Sequence, residues 1–165
     1  MLLEYPLVLV GPMGVGKTTV GKKLARALGV PFRDTDAIVT ASHGPIPAIF
    51  DKLGEDTFRA FEEDALREAL SSPAVVATGG GAVLRKANQQ LLESATVIYL
   101  STDGKHIPSR LRAGNRPLVK NGYEDWKRIY SERKTTYESV ADHTIDTSGM
   151  SLALTVAAIR EKLNL

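Results

Sequence analysis

Short apolar runs alternate along the chain with longer segments in which apolar residues recur every three or four positions. The short runs lie at residues 7–10, 31–33, 74–78, 96–100 and 143–146, and four of the five are rich in Val, Ile or Leu. Runs that are apolar on both faces are typical of strands covered by helices on either side. The alternation therefore predicts an α/β fold with five strands in a parallel sheet.

Several of the intervening segments have a clear helical period. Gly29, with Pro31 soon after it, indicates the end of a helix that begins near Gly16. The stretch 112–122, RAGNRPLVKNG, lacks this period and has the composition of a mobile loop. The apolar positions of the helical segments are Val20, Leu24 and Leu28, then Phe58, Phe61, Ala65 and Ala69, and finally Leu152, Val156, Ile159 and Leu163.

Composition and charge narrow the class of protein. A chain of 165 residues without cysteine suits one domain spanning 1–165 and excludes a disulfide framework. Charged residues make up 24% and the net charge is only +2, which argues against a disordered polyelectrolyte and a basic nucleic-acid binder. Because the N-terminal residues lack a basic region and the first apolar run is short, we expect no signal peptide and no membrane span. We expect a cytoplasmic monomer.

A phosphate-binding motif follows the first predicted strand. Residues 11–18, GPMGVGKT, fit G-x-x-x-x-G-K-[ST] and stand directly before the first predicted helix, which is the context that this motif requires. Gly14 and Gly16 allow the backbone to turn its N–H groups inward, and the helix adds the positive end of its dipole. Lys17 supplies a positive charge to phosphates, and the Thr18 hydroxyl is a Mg²⁺ ligand.

Other motifs bear on which nucleotide and which reaction to expect. GTP-binding switches need an N-K-x-D segment, and the sequence has none, so adenine is the better prediction. The segment 146–149, DTSG, imitates an aspartic-protease loop, but one such loop lacks its partner carboxylate and a β-rich body to hold it.

Asp34 and Asp36 follow the second predicted strand, at the edge where open α/β sheets bind ligands. On an extended chain two such carboxylates point the same way. Asp34 can then hold a metal-bound water, while Asp36 faces an acceptor hydroxyl and takes its proton. The alternative is an Asx turn that caps the next helix.

Further candidate residues have both a functional and an ordinary structural interpretation. Arg59 and Glu62 share a helix face, either as a surface ion pair or as a fork fixed to bind a carboxylate. The glycines at 79–81 indicate close approach of the backbone to a ligand, or else a flexible loop. Loop arginines are usually solvated, but a kinase needs movable cations to neutralise the transferred group. The remaining cations are Arg110, Arg112, Arg116 and Arg133, the last with Tyr137 at i+4.

With these residues assembled, the chain resembles the shikimate kinase family along essentially its full length. The resemblance rests on GPMGVGKTT at 11–19, DTD at 34–36, FRAFEE at 58–63, GGG at 79–81, RPL at 116–118 and ERKTTY at 132–137. It implies the three-layer P-loop fold of the nucleoside monophosphate kinase-like group. The implied strand order is 2-3-1-4-5, with a substrate-binding region at about 34–62 and a lid at about 112–122.

The resemblance also implies an activity and roles for individual residues. The reaction would transfer the γ-phosphoryl group of ATP to the 3-hydroxyl of shikimate, giving shikimate 3-phosphate and ADP in chorismate and aromatic amino acid biosynthesis. Asp36 would be the base, and Arg59, Arg133, Gly80 and Gly81 would hold the substrate. Lys17 and Arg116 would stabilise the phosphates, and Thr18 and water-linked Asp34 would hold Mg²⁺. The implied nucleotide-binding residues are Gly14, Val15, Gly16, Lys17, Thr18, Thr19, Arg110 and Arg116.

Two other functions stay open on the residues alone. One is a kinase of the gluconate or nucleoside monophosphate type, against which the Arg59 and Glu62 pair and the glycines at 79–81 argue. The other is an ATP-responsive binding module that has lost its chemistry, although Asp36, Lys17 and Arg116 are all present.

Overall fold

The computed structural model describes residues 3–111 and 120–165, and its centre is a five-stranded parallel sheet. The strands are β1 (Leu7–Val10), β2 (Phe32–Asp34), β3 (Val75–Ala77), β4 (Thr96–Ser101) and β5 (His143–Asp146). Their order is β2-β3-β1-β4-β5, which confirms the predicted α/β class and the order that the family resemblance implied. Strand ends differ from the prediction by one or two residues, as at β3, which is shorter than 74–78.

Helices cover both faces of the sheet, and a short 3₁₀ turn at Ala82–Leu84 follows β3. The first helix ends at Gly29, where the backbone is left-handed with φ 68°, as the sequence predicts. The helices are α1 (Lys17–Leu28), α2 (Thr35–His43), α3 (Ile46–Leu53), α4 (Glu55–Ala69), α5 (Lys86–Leu92), α6 (Ile107–Leu111), α7 (Tyr123–Val140) and α8 (Leu152–Leu163).

The apolar strands are explained by the two cores that they separate. Alternate residues of a strand point to opposite faces. Val8 and Val10 of β1 lie in a core with residues of α4 and α7. Leu7 and Leu9 lie in a second core with residues of α1 and α8. Both sets are fully buried, so β1 must be apolar at every position.

The strand register places the ends of three strands at one edge. Ala77 of β3 pairs with Leu9 of β1 on one side and with Asp34 of β2 on the other. The segments that follow these strands, which are the phosphate-binding loop at 11–18, the start of α2 and the glycines at 79–81, therefore begin side by side. In the part of the chain that the structure describes, no helix is long and apolar enough to cross a membrane.

Gly21 provides a stability test of the packing between α1 and β2. A Cβ atom at Gly21 would lie 2.5 Å from Cε1 of Phe32. Helix propensity favours Ala over Gly by about 1 kcal/mol, whereas overpacking costs about 1–3 kcal/mol. We expect Gly21→Ala to lower the free energy of unfolding in urea by about 1 kcal/mol. In a Phe32→Leu background the same change should cost nothing or stabilise, and a stabilised Gly21→Ala single variant would contradict this packing.

Candidate active site

The phosphate-binding loop has the backbone that its glycines predict. Gly14 and Gly16 have φ values of 80° and 107°, in the region that side chains disfavour. Lys17 is buried, and its Nζ donates hydrogen bonds to the carbonyl oxygens of Gly11 (2.7 Å) and Pro12 (2.9 Å). The ammonium group is thus held against the loop that the sequence assigns to phosphates. The Val15 side chain lies in the apolar core, and Val15 is not among the residues that line the cavity described below.

Two side chains from helices that are distant in the sequence donate hydrogen bonds to carbonyl oxygens of this loop. Arg110 of α6 donates through Nη1 to the carbonyl oxygens of Gly14 (2.9 Å) and Val15 (3.0 Å). Trp126 of α7 donates through Nε1 to the carbonyl oxygen of Met13 (2.7 Å). These bonds fix the orientation of three consecutive peptide groups of the loop.

The expected geometry of Asp34 and Asp36 is wrong in one respect. We expected both carboxylates on an extended chain, but Asp34 ends β2 and caps α2, and Asp36 lies in the first turn of that helix. Asp34 Oδ1 accepts from the backbone N–H groups of Asp36 (2.9 Å) and Ala37 (3.3 Å). The capping alternative is therefore correct, and it coexists with a functional contact. Asp34 Oδ2 accepts from the Thr18 hydroxyl (2.9 Å).

The glycine turn, residues 79–81, lies against the candidate catalytic and binding side chains. A Cβ atom at Gly79 would lie 2.9 Å from both Asp36 Oδ1 and Glu62 Oε2. At Gly81 it would overlap the Arg59 guanidinium, whose Nη2 is 2.5 Å away. Only glycine can therefore occupy these positions without displacing the charged groups. The glycine backbone thus approaches charged side chains closely, while its approach to a ligand stays a prediction.

The Arg59 guanidinium is buried and neutralised by carboxylates of its own helix. Its Nη1 donates to Glu62 Oε1 (2.9 Å), and its Nη2 donates to Glu55 Oε2 (3.2 Å). Arg59 is 7% exposed and Glu62 is 1% exposed. The pair is therefore not the surface ion pair of the simpler interpretation, because both partners are withdrawn from water.

Arg133 of α7 is as buried as Arg59, but it lacks the carboxylate partners that Arg59 has among the described residues. It is 7% exposed, and its Nη1 lies 3.4 Å from the position of a Cβ atom on Gly80. Within residues 3–111 and 120–165, Arg133 forms no salt bridge. The two guanidinium groups thus lie against adjacent glycines, Arg133 at Gly80 and Arg59 at Gly81. We call Arg59 and Arg133 the arginine clamp.

A cavity of about 250 Å³ lies between the phosphate-binding loop, the start of α2 and the glycine turn. Its wall includes the phosphate-binding loop, Arg110, and both Asp34 and Asp36. The predicted residues that line it are Gly14, Gly16, Lys17, Thr18, Thr19, Asp34, Asp36, Gly80 and Arg110, whereas Arg59, Gly81 and Arg133 lie behind it at the glycine turn. Arg116 and Arg112 and most of the expected lid at 112–122 lie outside the described residues.

Sequence reasoning missed several residues that hold the site together. Thr35, fully buried, accepts a hydrogen bond from the N–H of Gly79 through its hydroxyl (3.2 Å). Trp126 bonds the phosphate-binding loop, and Tyr137 donates to the carbonyl oxygen of Gly80 (2.5 Å). Of these residues, only Tyr137 could have been recognised from the local sequence, because it lies one helical turn after Arg133 on the same helix face.

A phosphate-binding loop and a carboxylate line one cavity at the strand ends, and an arginine clamp lies behind its glycine wall. These features are typical of a P-loop kinase for a small anionic substrate. A family model described as shikimate kinase matches residues 13–164. A shikimate kinase of Salinispora arenicola is 45% identical over 159 residues, which cover 92% of this chain and 95% of that protein. One of Streptomyces coelicolor is 44% identical over 147 residues, covering 87% and 86%.

A solved structure agrees with these sequences. Shikimate kinase from Acinetobacter baumannii in complex with shikimate has a TM-score of 0.89 to this chain at 36% identity, covering 98% of this chain and 94% of that one. The chain belongs to the shikimate kinase family.

The buried carboxyl of Glu62 gives a pH-dependent prediction. Burial raises the pKa of Glu62 above its ordinary value of 4.5, and the nearby Asp36 adds to this. The charge and hydrogen bond of Arg59 oppose the shift, as does the charge of Arg133. Just above pH 4.5 the native protein therefore retains a proton that the unfolded chain has lost. We expect the wild-type protein to lose stability relative to Glu62→Gln as the pH rises from about 4 to about 7.

The measurement is the free energy of unfolding in urea across this pH range for both proteins. Glu68→Gln, the same change at an exposed position of α4, is the matched control. A difference between wild type and Glu62→Gln that is independent of pH, or that grows in favour of wild type, would show that burial does not raise the pKa of this carboxyl.

Proposed function

We propose that the protein transfers the γ-phosphoryl group of ATP to the 3-hydroxyl of shikimate, giving shikimate 3-phosphate and ADP, a step of chorismate and aromatic amino acid biosynthesis. The observation that carries the proposal is the placement of Asp36 between the phosphate-binding loop and the arginine clamp, at a glycine turn that touches both. This arrangement suits an acceptor with a hydroxyl at one end and a carboxylate at the other.

The phosphate side of the reaction depends on the loop and on α1. The N–H groups at the start of α1 and the Lys17 ammonium offer positive charge to the β- and γ-phosphates. Arg116 has a side chain of the right charge to meet the transferred group, and we propose this role from its place in the RPL motif. We likewise propose that Arg110 flanks the adenine from its position beside the loop.

We propose Mg²⁺ as the cofactor, bound by the Thr18 hydroxyl and, through water, by Asp34. The side chains fit this ion, because hydroxyl and carboxylate oxygens are the ligands that a hard cation prefers. Thr18 and Asp34 lie in contact at the cavity wall, with the Thr18 proton directed at Asp34 Oδ2. This direction leaves the lone pairs of the Thr18 oxygen available. When bound, the ion would neutralise charge that develops on the phosphates.

Asp36 is the proposed base. As the acceptor oxygen bonds to the γ-phosphorus and the bond from that phosphorus to the bridging oxygen of ADP breaks, the hydroxyl proton passes to the Asp36 carboxylate. Asp36 lies in the first turn of α2, so this carboxylate is at the positive end of a helix.

The arginine clamp orients the acceptor. Guanidinium groups bind carboxylates through paired hydrogen bonds, and the charge on Arg133 is not balanced by a salt bridge within the described residues. Binding the acid group there turns the opposite side of the ring toward Asp36.

Three further expectations remain predictions: a monomer, a cytoplasmic location, and one domain with a substrate-binding region at about 34–62 and a lid at about 112–122.

A coupled ADP-release assay tests the proposed reaction. We expect ADP release with ATP and shikimate, and only background release with gluconate or a nucleoside monophosphate as the acceptor. The product with shikimate should be identified as the 3-phosphate by phosphorus NMR. Background release with shikimate, or faster turnover of gluconate or a nucleoside monophosphate, would refute the proposal.

Asp36→Asn tests the role of the base. We expect kcat to fall by about two orders of magnitude or more, the usual scale for positioned proton transfer, with little change in the KM for ATP. Asp64→Asn, the same substitution at an exposed position of α4, should leave turnover intact. Near-normal turnover in Asp36→Asn would exclude Asp36 as the base.

A further inference from the structure

Tyr137 is a buried phenol at the carboxylate end of the site. It lies on α7, one turn after Arg133, and is 1% exposed. Residues four apart on a helix share a face, so both side chains extend toward the glycine turn. The phenol donates its hydrogen bond to the carbonyl oxygen of Gly80 at 2.5 Å. Tyr137 therefore bonds the backbone of the residue against which Arg133 lies.

The Tyr137 phenol and the Arg133 guanidinium both lie against Gly80. Burial raises the pKa of Tyr137 to about 12, although the charge of Arg133 and a hydrogen bond to its side chain act in the opposite direction. At neutral pH the phenol is consequently protonated. A neutral phenol can donate to Gly80 while its oxygen lone pairs accept from a guanidinium N–H.

The two members of the arginine clamp are therefore oriented by different means. Arg59 is held by carboxylates, which neutralise it as well as fix its direction. Tyr137 is neutral and meets Arg133 at Gly80, so it can fix the direction of that guanidinium without cancelling its charge. A long arginine side chain loses considerable rotamer entropy on binding, and preorganisation removes that loss from the binding step.

The glycine turn is held on its other side as well. The N–H of Gly79 donates to the Thr35 hydroxyl, so the turn is bonded at one end to α2 and at the other, through Gly80, to Tyr137. Thr35 immediately precedes Asp36. The glycine turn is therefore held at Gly79 beside the proposed base, Asp36, and at Gly80 beside Arg133, where Tyr137 supplies the hydrogen bond.

We propose that Tyr137 is a positioning residue that holds the Arg133 guanidinium against Gly80, and so sets the site for the acid group of the substrate while leaving that guanidinium charged. The proposal rests on the proposed function and adds to it a residue that touches neither substrate nor nucleotide. It predicts a defect confined to substrate binding, because the hydrogen bond of the Tyr137 hydroxyl goes to Gly80, the residue against which Arg133 lies.

The test is Tyr137→Phe, which removes the hydroxyl and retains the ring. We expect the KM for shikimate to rise about tenfold, the scale of one buried hydrogen bond beside a charge, while kcat and the KM for ATP stay within about twofold. Tyr99→Phe is the matched control. It removes an equally buried hydroxyl, which bonds Tyr130 in the same aromatic cluster, and it should leave all three constants unchanged.

A double-mutant cycle with Arg133→Ala separates positioning from general loss of packing. Arg133→Ala should itself raise the KM for shikimate strongly and leave the KM for ATP nearly unchanged. In that background, adding Tyr137→Phe should lower kcat/KM for shikimate by less than about twofold, since the group that Tyr137 positions is gone.

Three results would overturn the inference: unchanged constants in Tyr137→Phe, an equal rise in the KM values for shikimate and ATP, or additive losses in the cycle. If the wild-type protein releases no ADP with shikimate, the proposed function fails first. If the wild-type protein is active and Tyr137→Phe matches it, only the role of Tyr137 fails.

Discussion

Two buried guanidinium groups beside a glycine backbone are the constraint on which the site depends. Removing a charge from water costs several kcal/mol unless partners replace the lost solvation. Arg59 receives that replacement from Glu55 and Glu62. Arg133 forms no salt bridge among the described residues, although the charge of Glu62 is near enough to interact with it. In the proposed function the carboxylate of the substrate is the salt-bridge partner of Arg133, and selectivity for an acid follows from that pairing.

The sheet makes this arrangement possible by aligning strand ends. Leu9, Ala77 and Asp34 pair across β1, β3 and β2, so the three segments that follow these strands start at one edge. The first of these segments is the phosphate-binding loop, the second carries Asp36, and the third brings backbone close to the arginine clamp. A side chain at Gly79 would collide with Asp36 and Glu62, and one at Gly81 with Arg59, so these glycines are a condition of this convergence.

Features that depend on local sequence were predicted well. The five strands, the phosphate-binding loop, the end of α1 at Gly29 and the shared face of Arg59 and Glu62 all follow from spacing over a few residues. The geometry of Asp36 was predicted wrongly, because α2 begins directly after Asp34 and rotates Asp36 out of the extended direction. That Asp34 serves both as a cap and as the partner of Thr18 was not foreseen, since we treated these roles as alternatives.

Contacts between distant parts of the chain left no such signal. Trp126 and Met13 are 113 positions apart, and Thr35 and Gly79 are 44 positions apart. Each bond joins a side chain to a backbone group, and any residue type offers a backbone carbonyl or N–H as a partner, so no pattern of residue types marks it. The burial of the Arg59 and Glu62 pair likewise could not be inferred, because helical spacing is the same for a buried and an exposed pair.

The most direct test of this account compares the binding of shikimate with that of its neutral carboxamide, which has nearly the same shape, to the wild-type protein by calorimetry. An unbalanced buried guanidinium predicts that the carboxamide binds roughly a hundredfold more weakly, as expected when one partner of a buried charge pair is lost. Affinities within about threefold of each other would contradict the claim that the charge on Arg133 selects the substrate.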